Sequence, residues 1–127
     1  MRRLSEDILV GSKGMRQIKN HLWDMTDGVC AMGAALRGAG LYKNTGTRLW
    51  AEIWPGIYNP KRCPVCSTPY LDIVRVVVCL NNTHSWSFWQ IASWVRECED
   101  ELGVSNPTLV EEVEAELVGV GREERVG

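Results

Sequence analysis

Four residues in the middle of the chain constrain it most. Cys63, Cys66, Cys79 and His84 fall in the pattern C-x2-C-x12-C-x4-H, the ligand spacing of a structural zinc finger in which one histidine is replaced by cysteine. Two thiolates at i and i+3 face one metal when a tight knuckle separates them, and Cys63-Pro64-Val65-Cys66 supplies the stiff proline such a knuckle tolerates. The twelve residues that follow are enough to turn away, build about three helical turns at roughly 1.5 Å per residue and bring Cys79 back to the metal. Four protein ligands would close the site, so the spacing predicts structural Zn2+ and no open position for catalysis.

The other residues are read around that staple. With 127 residues, 45% of them apolar and 24% charged, the chain is sized for one domain or one domain with a small module. No apolar run approaches the ~20 residues of a membrane span, and Met1-Arg2-Arg3 leads into Leu4-Ser5-Glu6-Asp7 rather than a signal-peptide core. The expectation is therefore a cytoplasmic protein without membrane contact, in whose reducing compartment five cysteines favour metal over disulfides. Cys30 and Cys98, the two outside the pattern, fall in apolar helical settings and are expected to be buried, inert thiols. Six tryptophans against one phenylalanine are expected mainly in and around the core. Each indole N–H also wants a partner, so some should sit half exposed.

The periodicities predict a mainly α fold with little or no β-sheet, divided into an N-terminal helical part (1–62), a zinc knuckle with its helices (63–102) and an acidic C-terminal helix and tail (103–127). Ser5 is positioned to cap a first helix ending near Lys13. Thr26 or Asp27 is positioned to cap a second across residues 29–36, whose Gly and Ala face lets a neighbour approach closely. Residues 49–54 form a short helix ended by Pro55-Gly56. Thr68-Pro69 reads as a cap followed by proline at the first helical position, opening a helix to Asn81-Asn82 that presents Cys79 and His84 to one metal. The β-branched run Val76-Val77-Val78 argues for a strand instead. Ser87 and Gln90 make a capping box, with Trp86 and Ile91 as its hydrophobic staple, and open the clearest helix of the chain. A last amphipathic helix at 107–118 carries four glutamates.

Taken together, the segment Cys30-Ala31-Met32-Gly33-Ala34-Ala35-Leu36, the Cys63-Pro64-Val65-Cys66 knuckle and the block Cys79-Leu80-Asn81-Asn82-Thr83-His84-Ser85-Trp86, continuing through Ile91-Ala92-Ser93-Trp94, resemble a group of small uncharacterised bacterial and phage proteins. Its members carry a Cys-Ala-Leu-Gly-Ala-Ala segment, a Cys-Pro-x-Cys knuckle and a His-Leu-Asn-Asp stretch followed by a second histidine, a tryptophan and an Ile-Ala-x-Trp helix. The resemblance covers roughly residues 4–99. Cys79 stands where the group has histidine, which keeps a metal ligand, and Asn82 stands where it has aspartate. The resemblance implies fold and metal rather than an activity.

His21 and His84 are the only histidines, and a Cys30–His21 pair is the one conceivable nucleophilic dyad. No phosphate loop, Ser/His/Asp order or carboxylate pair stands out, so no enzyme is expected. Residues 1–62 carry ten basic and five acidic side chains, residues 63–127 four and eleven. Arg2, Arg3, Arg16 and Lys19 would be the first phosphate contacts if the chain bound nucleic acid. The acidic 107–118 helix and the single cation Arg75 of the presumed finger helix speak against that. The expected function is a small zinc-stabilised protein-interaction domain of phage or bacterial origin, with a protein partner or a homodimer; nucleic-acid binding is the alternative.

Overall fold

The computed structural model describes residues 2–44 and 49–102; the helix expected at 107–118 lies outside them. About 46% of the described residues are helical, with two sheets of two strands each. The mainly α expectation therefore stands in outline, but the sheets are not negligible: each closes a loop that matters.

The first helix, α1 (Leu4–Ser12), starts one residue before the expected cap. Ser5 lies inside it because Glu99 takes its side chain, accepting from both the Ser5 hydroxyl and the Ser5 backbone N–H. Strand β1 (Arg16–Gln17) pairs in parallel with β2 (Gly28–Val29). The turn between them is tied by the Asp24 carboxylate, which accepts from the backbone N–H of Thr26 and of Gly28, each at 2.9 Å. These bonds displace the expected helix start. Residues 28–29 are extended, and α2 (Ala31–Gly38) is capped by Cys30, whose Sγ accepts from the Gly33 N–H at 3.4 Å.

Helices α1 and α2 pack at close range, as the Gly and Ala face predicts. A Cβ on Gly11 would collide with the backbone oxygen of Ala34, and one on Gly38 with that of Asp7. Glycine is required there because two backbones meet. Short α3 (Trp50–Ile53) ends at Trp54, which is fully buried with its indole N–H donated to Asp7 Oδ2 at 2.7 Å. Arg2 binds the same carboxylate at 2.7 Å, so burial leaves it paired.

Strand β3 (Lys61–Arg62) pairs antiparallel with β4 (Pro69–Tyr70). This corrects the Thr68-Pro69 helix start: proline occupies a short edge strand, where its missing N–H is no loss. The helix begins later, as α4 (Ile73–Asn82), under an Asp72 cap that accepts from Arg75 N at 2.8 Å. Val76-Val77-Val78 is helical, its β propensity overridden because Val76 and Val77 point into the core. The last described helix, α5 (Phe88–Glu101), has the expected capping box, with Ser87 and Gln90 exchanging bonds at 2.9 and 3.1 Å.

One apolar cluster draws on α1, α2, α4 and α5, with Ile8, Leu36, Val77, Leu80, Ile91 and Val95 among its members. Arg3 is buried against α5 and reaches Glu99 and Asp100. No described helix is long and apolar enough to cross a membrane.

Candidate metal centre

The knuckle is built by the β3–β4 pair. Cys63 N donates to Thr68 O at 3.0 Å and Ser67 N to Cys63 O at 2.9 Å, so residues 63–68 form a closed turn. Ser67 takes a left-handed φ of 62° to complete it. Cys79 arrives from the last turn of α4. That helix stops beyond it, with Thr83 N and His84 N both donating to Cys79 O, and the chain reverses at Ser85, φ 56°. His84 is thereby held beside the helix end rather than carried away from it.

The result brings together all four residues that the spacing singled out. One ligand atom from each of Cys63, Cys66, Cys79 and His84 lies within 4.8 Å of every other, and Cys66 Sγ stands 3.9 Å from Cys79 Sγ. Cys63 and Cys79 are 1% and 8% exposed, whereas Cys66 faces solvent. The Nε2 atom of His84 is buried with no hydrogen-bond partner. A buried, unpartnered imidazole nitrogen is costly, and a cation shared with three thiolates would satisfy it. On donor type, number and spacing, the cluster could hold a metal ion.

The surroundings favour thiolate at Cys66. Val65 N donates to Cys63 Sγ at 3.4 Å, and the Thr68 hydroxyl lies 3.1 Å from Cys66 Sγ. Hydrogen bonds from the Thr68 side chain and backbone pull the Cys66 thiol down to about 6. Burial pushes Cys79 up, against the neighbouring Tyr70 hydroxyl. Tyr70 in turn is pushed up to about 12, first by its hydrogen bond to Cys79. The sequence offers Thr68 only as a helix cap and assigns Tyr70 no role, and neither is expected from it beside the metal ligands. Their one signal is position just after the second cysteine, Thr68 immediately before β4 and Tyr70 on it.

The remaining candidates lie elsewhere. Cys98 is buried in α5, its thiol pushed up to about 11 chiefly by that burial. Cys30 is buried at the head of α2 and also raised by burial. His21 is exposed at the rim of the same cavity that Cys30 lines. Arg75 is exposed and ion-paired with its own helix cap, Asp72, at 3.5 Å. Compared with known protein families, curated proteins and solved structures, the chain matches none.

Proposed function

We propose that the chain is a zinc-stabilised protein-interaction domain without catalytic activity, in which Cys63, Cys66, Cys79 and His84 hold one Zn2+. The observation that carries this reading is the convergence of three thiols and an otherwise orphaned imidazole from two separate elements. Zn–S bonds of about 2.3 Å in a tetrahedron place sulfurs about 3.8 Å apart, which the 3.9 Å between Cys66 and Cys79 fits. The soft donor set selects zinc over magnesium or calcium. Bound zinc would cross-link the knuckle to the end of α4 and fix where α5 starts. That is a structural role, because four protein ligands leave no position for a reacting water.

The partner surface is the face shared by the knuckle and α5. Trp89 is 67% exposed and Val65, at the knuckle tip, 47%. Between them runs a shallow recess lined by Pro64, Trp86, Trp89, Gln90, Ser93 and Trp94. Exposed tryptophan with polar neighbours is the composition of protein interfaces. Nucleic acid is the weaker reading, since α4 offers Arg75 as its one cation and Asp72 already pairs with it.

Elemental mass spectrometry of purified protein, with a thiol titration on the same sample, tests the metal. One zinc per chain with Cys30 and Cys98 as the thiols outside the site is expected. No metal with five titratable thiols would overturn the reading.

A further inference from the structure

A second feature lies outside the metal cluster. A cavity of about 170 Å³ opens between α2, α4 and the segment before β2, lined chiefly by Leu22, Cys30, Met32, Trp50, Val78 and Asn82. We propose that it is a binding site for a small aromatic molecule bearing one oxygen, of which phenol is the simplest case.

Volume sets the size class: an apolar cavity of about 150 Å³ is known to take one benzene ring. The wall sets the chemistry. Leu22, Val77 and Val78 are aliphatic, Trp50 offers an aromatic surface, and Cys30 and Met32 bring two sulfurs of the kind that pack favourably against ring edges. Polar groups fix the orientation. Cys30 is 8% exposed and its sulfur accepts from Gly33 N, but its S–H finds no acceptor among the described residues. Asn82 Oδ1 accepts from Asn20 N and Asn81 Nδ2, while its own Nδ2 makes no hydrogen bond among the described residues. On this wall Cys30 S–H and Asn82 Nδ2 are donors without a protein acceptor among the described residues, and a ligand oxygen would answer them.

The wall is also unable to collapse into the space. Asn81, almost fully buried, spends its whole carboxamide on holding it: Oδ1 accepts from Gln17 Nε2 at 2.8 Å and Ala31 N at 3.1 Å, and Nδ2 donates to Ile18 O and Asn82 Oδ1, each at 2.8 Å. A recess held open by satisfied hydrogen bonds is preorganised, and binding to it orders little. None of the residues that line it is a ligand of the proposed metal. Nor does it assign a reaction to Cys30, whose thiol is raised by burial.

Phenol itself is the probe, added to the full-length protein carrying [13C-methyl]methionine. The Met32 methyl should move saturably. Alkylation of Cys30 by N-ethylmaleimide should slow about tenfold at phenol nine times Kd, as 1 + [L]/Kd requires, with Cys98 alkylating at its unchanged rate. Val78→Phe, which fills the mouth from a partly exposed position, should abolish both effects; Leu22→Phe, which also adds bulk to the lining, serves if that variant does not fold. A Met32 methyl that stays still, Cys30 and Cys98 responding alike, or binding that survives the filled mouth would each overturn the proposal. The metal content of the same sample reports separately on the zinc reading.

Discussion

The side-chain oxygen of Asn81 accepts the backbone N–H of Ala31 at 3.1 Å across fifty residues of sequence. The bond satisfies a first-turn donor of α2 from the last turn of α4, in the place where a capping residue on α2 itself would serve. Asn81 lies two residues after Cys79 and three before His84, so the clamp and the metal cluster share one stretch of backbone.

Replacing Asn81 should therefore be costly. Asn81→Ala strips partners from Ala31 N and Ile18 O in a buried setting, and should lower unfolding free energy by about 2–4 kcal/mol. Urea denaturation of the two proteins in the same metal state checks this; a loss under about 0.5 kcal/mol, the range of ordinary surface changes, would mean that the clamp contributes little.

Cys66→Ser and Cys98→Ser separate ligand from bystander. The first should lose zinc and cooperative melting together, whereas the second should keep one zinc per chain. Metal content and calorimetry on both variants decide it, and a Cys66→Ser protein with full zinc would remove Cys66 from the site.

Outer-sphere hydrogen bonds orient ligands and tune their charge. Thr68→Val deletes the hydroxyl 3.1 Å from Cys66 Sγ, and Tyr70→Phe the one beside Cys79. Each should weaken zinc binding by about 10- to 100-fold, read by competition with a chromogenic chelator. The exposed Tyr58→Phe is the control.

Asp24 gives the acid dependence. Its carboxyl is held well below its ordinary value by hydrogen bonds from Thr26 N, then Gly28 N, with Arg16 adding to them. Because the folded value is depressed, the contribution is complete above the unfolded value near 4 and fades as pH falls through the folded one. Asp24→Asn should lower Tm at pH 6, and the gap to the parent should narrow as pH drops below about 4. A gap that is constant with pH would assign the effect to geometry rather than charge.

Gly38→Ala tests the close approach of the first two helices. The new methyl would meet the Asp7 backbone oxygen, and backbone cannot give way as a side-chain tip can. A loss of about 1–3 kcal/mol is expected despite alanine's better helix propensity. Gly14→Ala, which meets nothing but has φ of 72°, separates this clash from backbone strain.

The metal-ligand pattern was readable in the sequence because its chemistry is local: donor types and spacings are written along the chain, and a knuckle needs few other residues. The Ser87–Gln90 capping box was legible for the same reason. Tertiary contacts decided what depends on residues far away in sequence. Glu99 drew Ser5 out of its capping role from 94 residues away, and Asp24 held residues 26–28 in a turn that moved the start of α2 to Cys30. The β3–β4 pairing used Pro69 as strand, where its local signal with Thr68 matched a helix start equally well. Asn81 gave no sign in the sequence of being more than a helix-end residue. Its role exists because α2 and α4 meet, and the cavity beside Cys30 is the space that their meeting leaves.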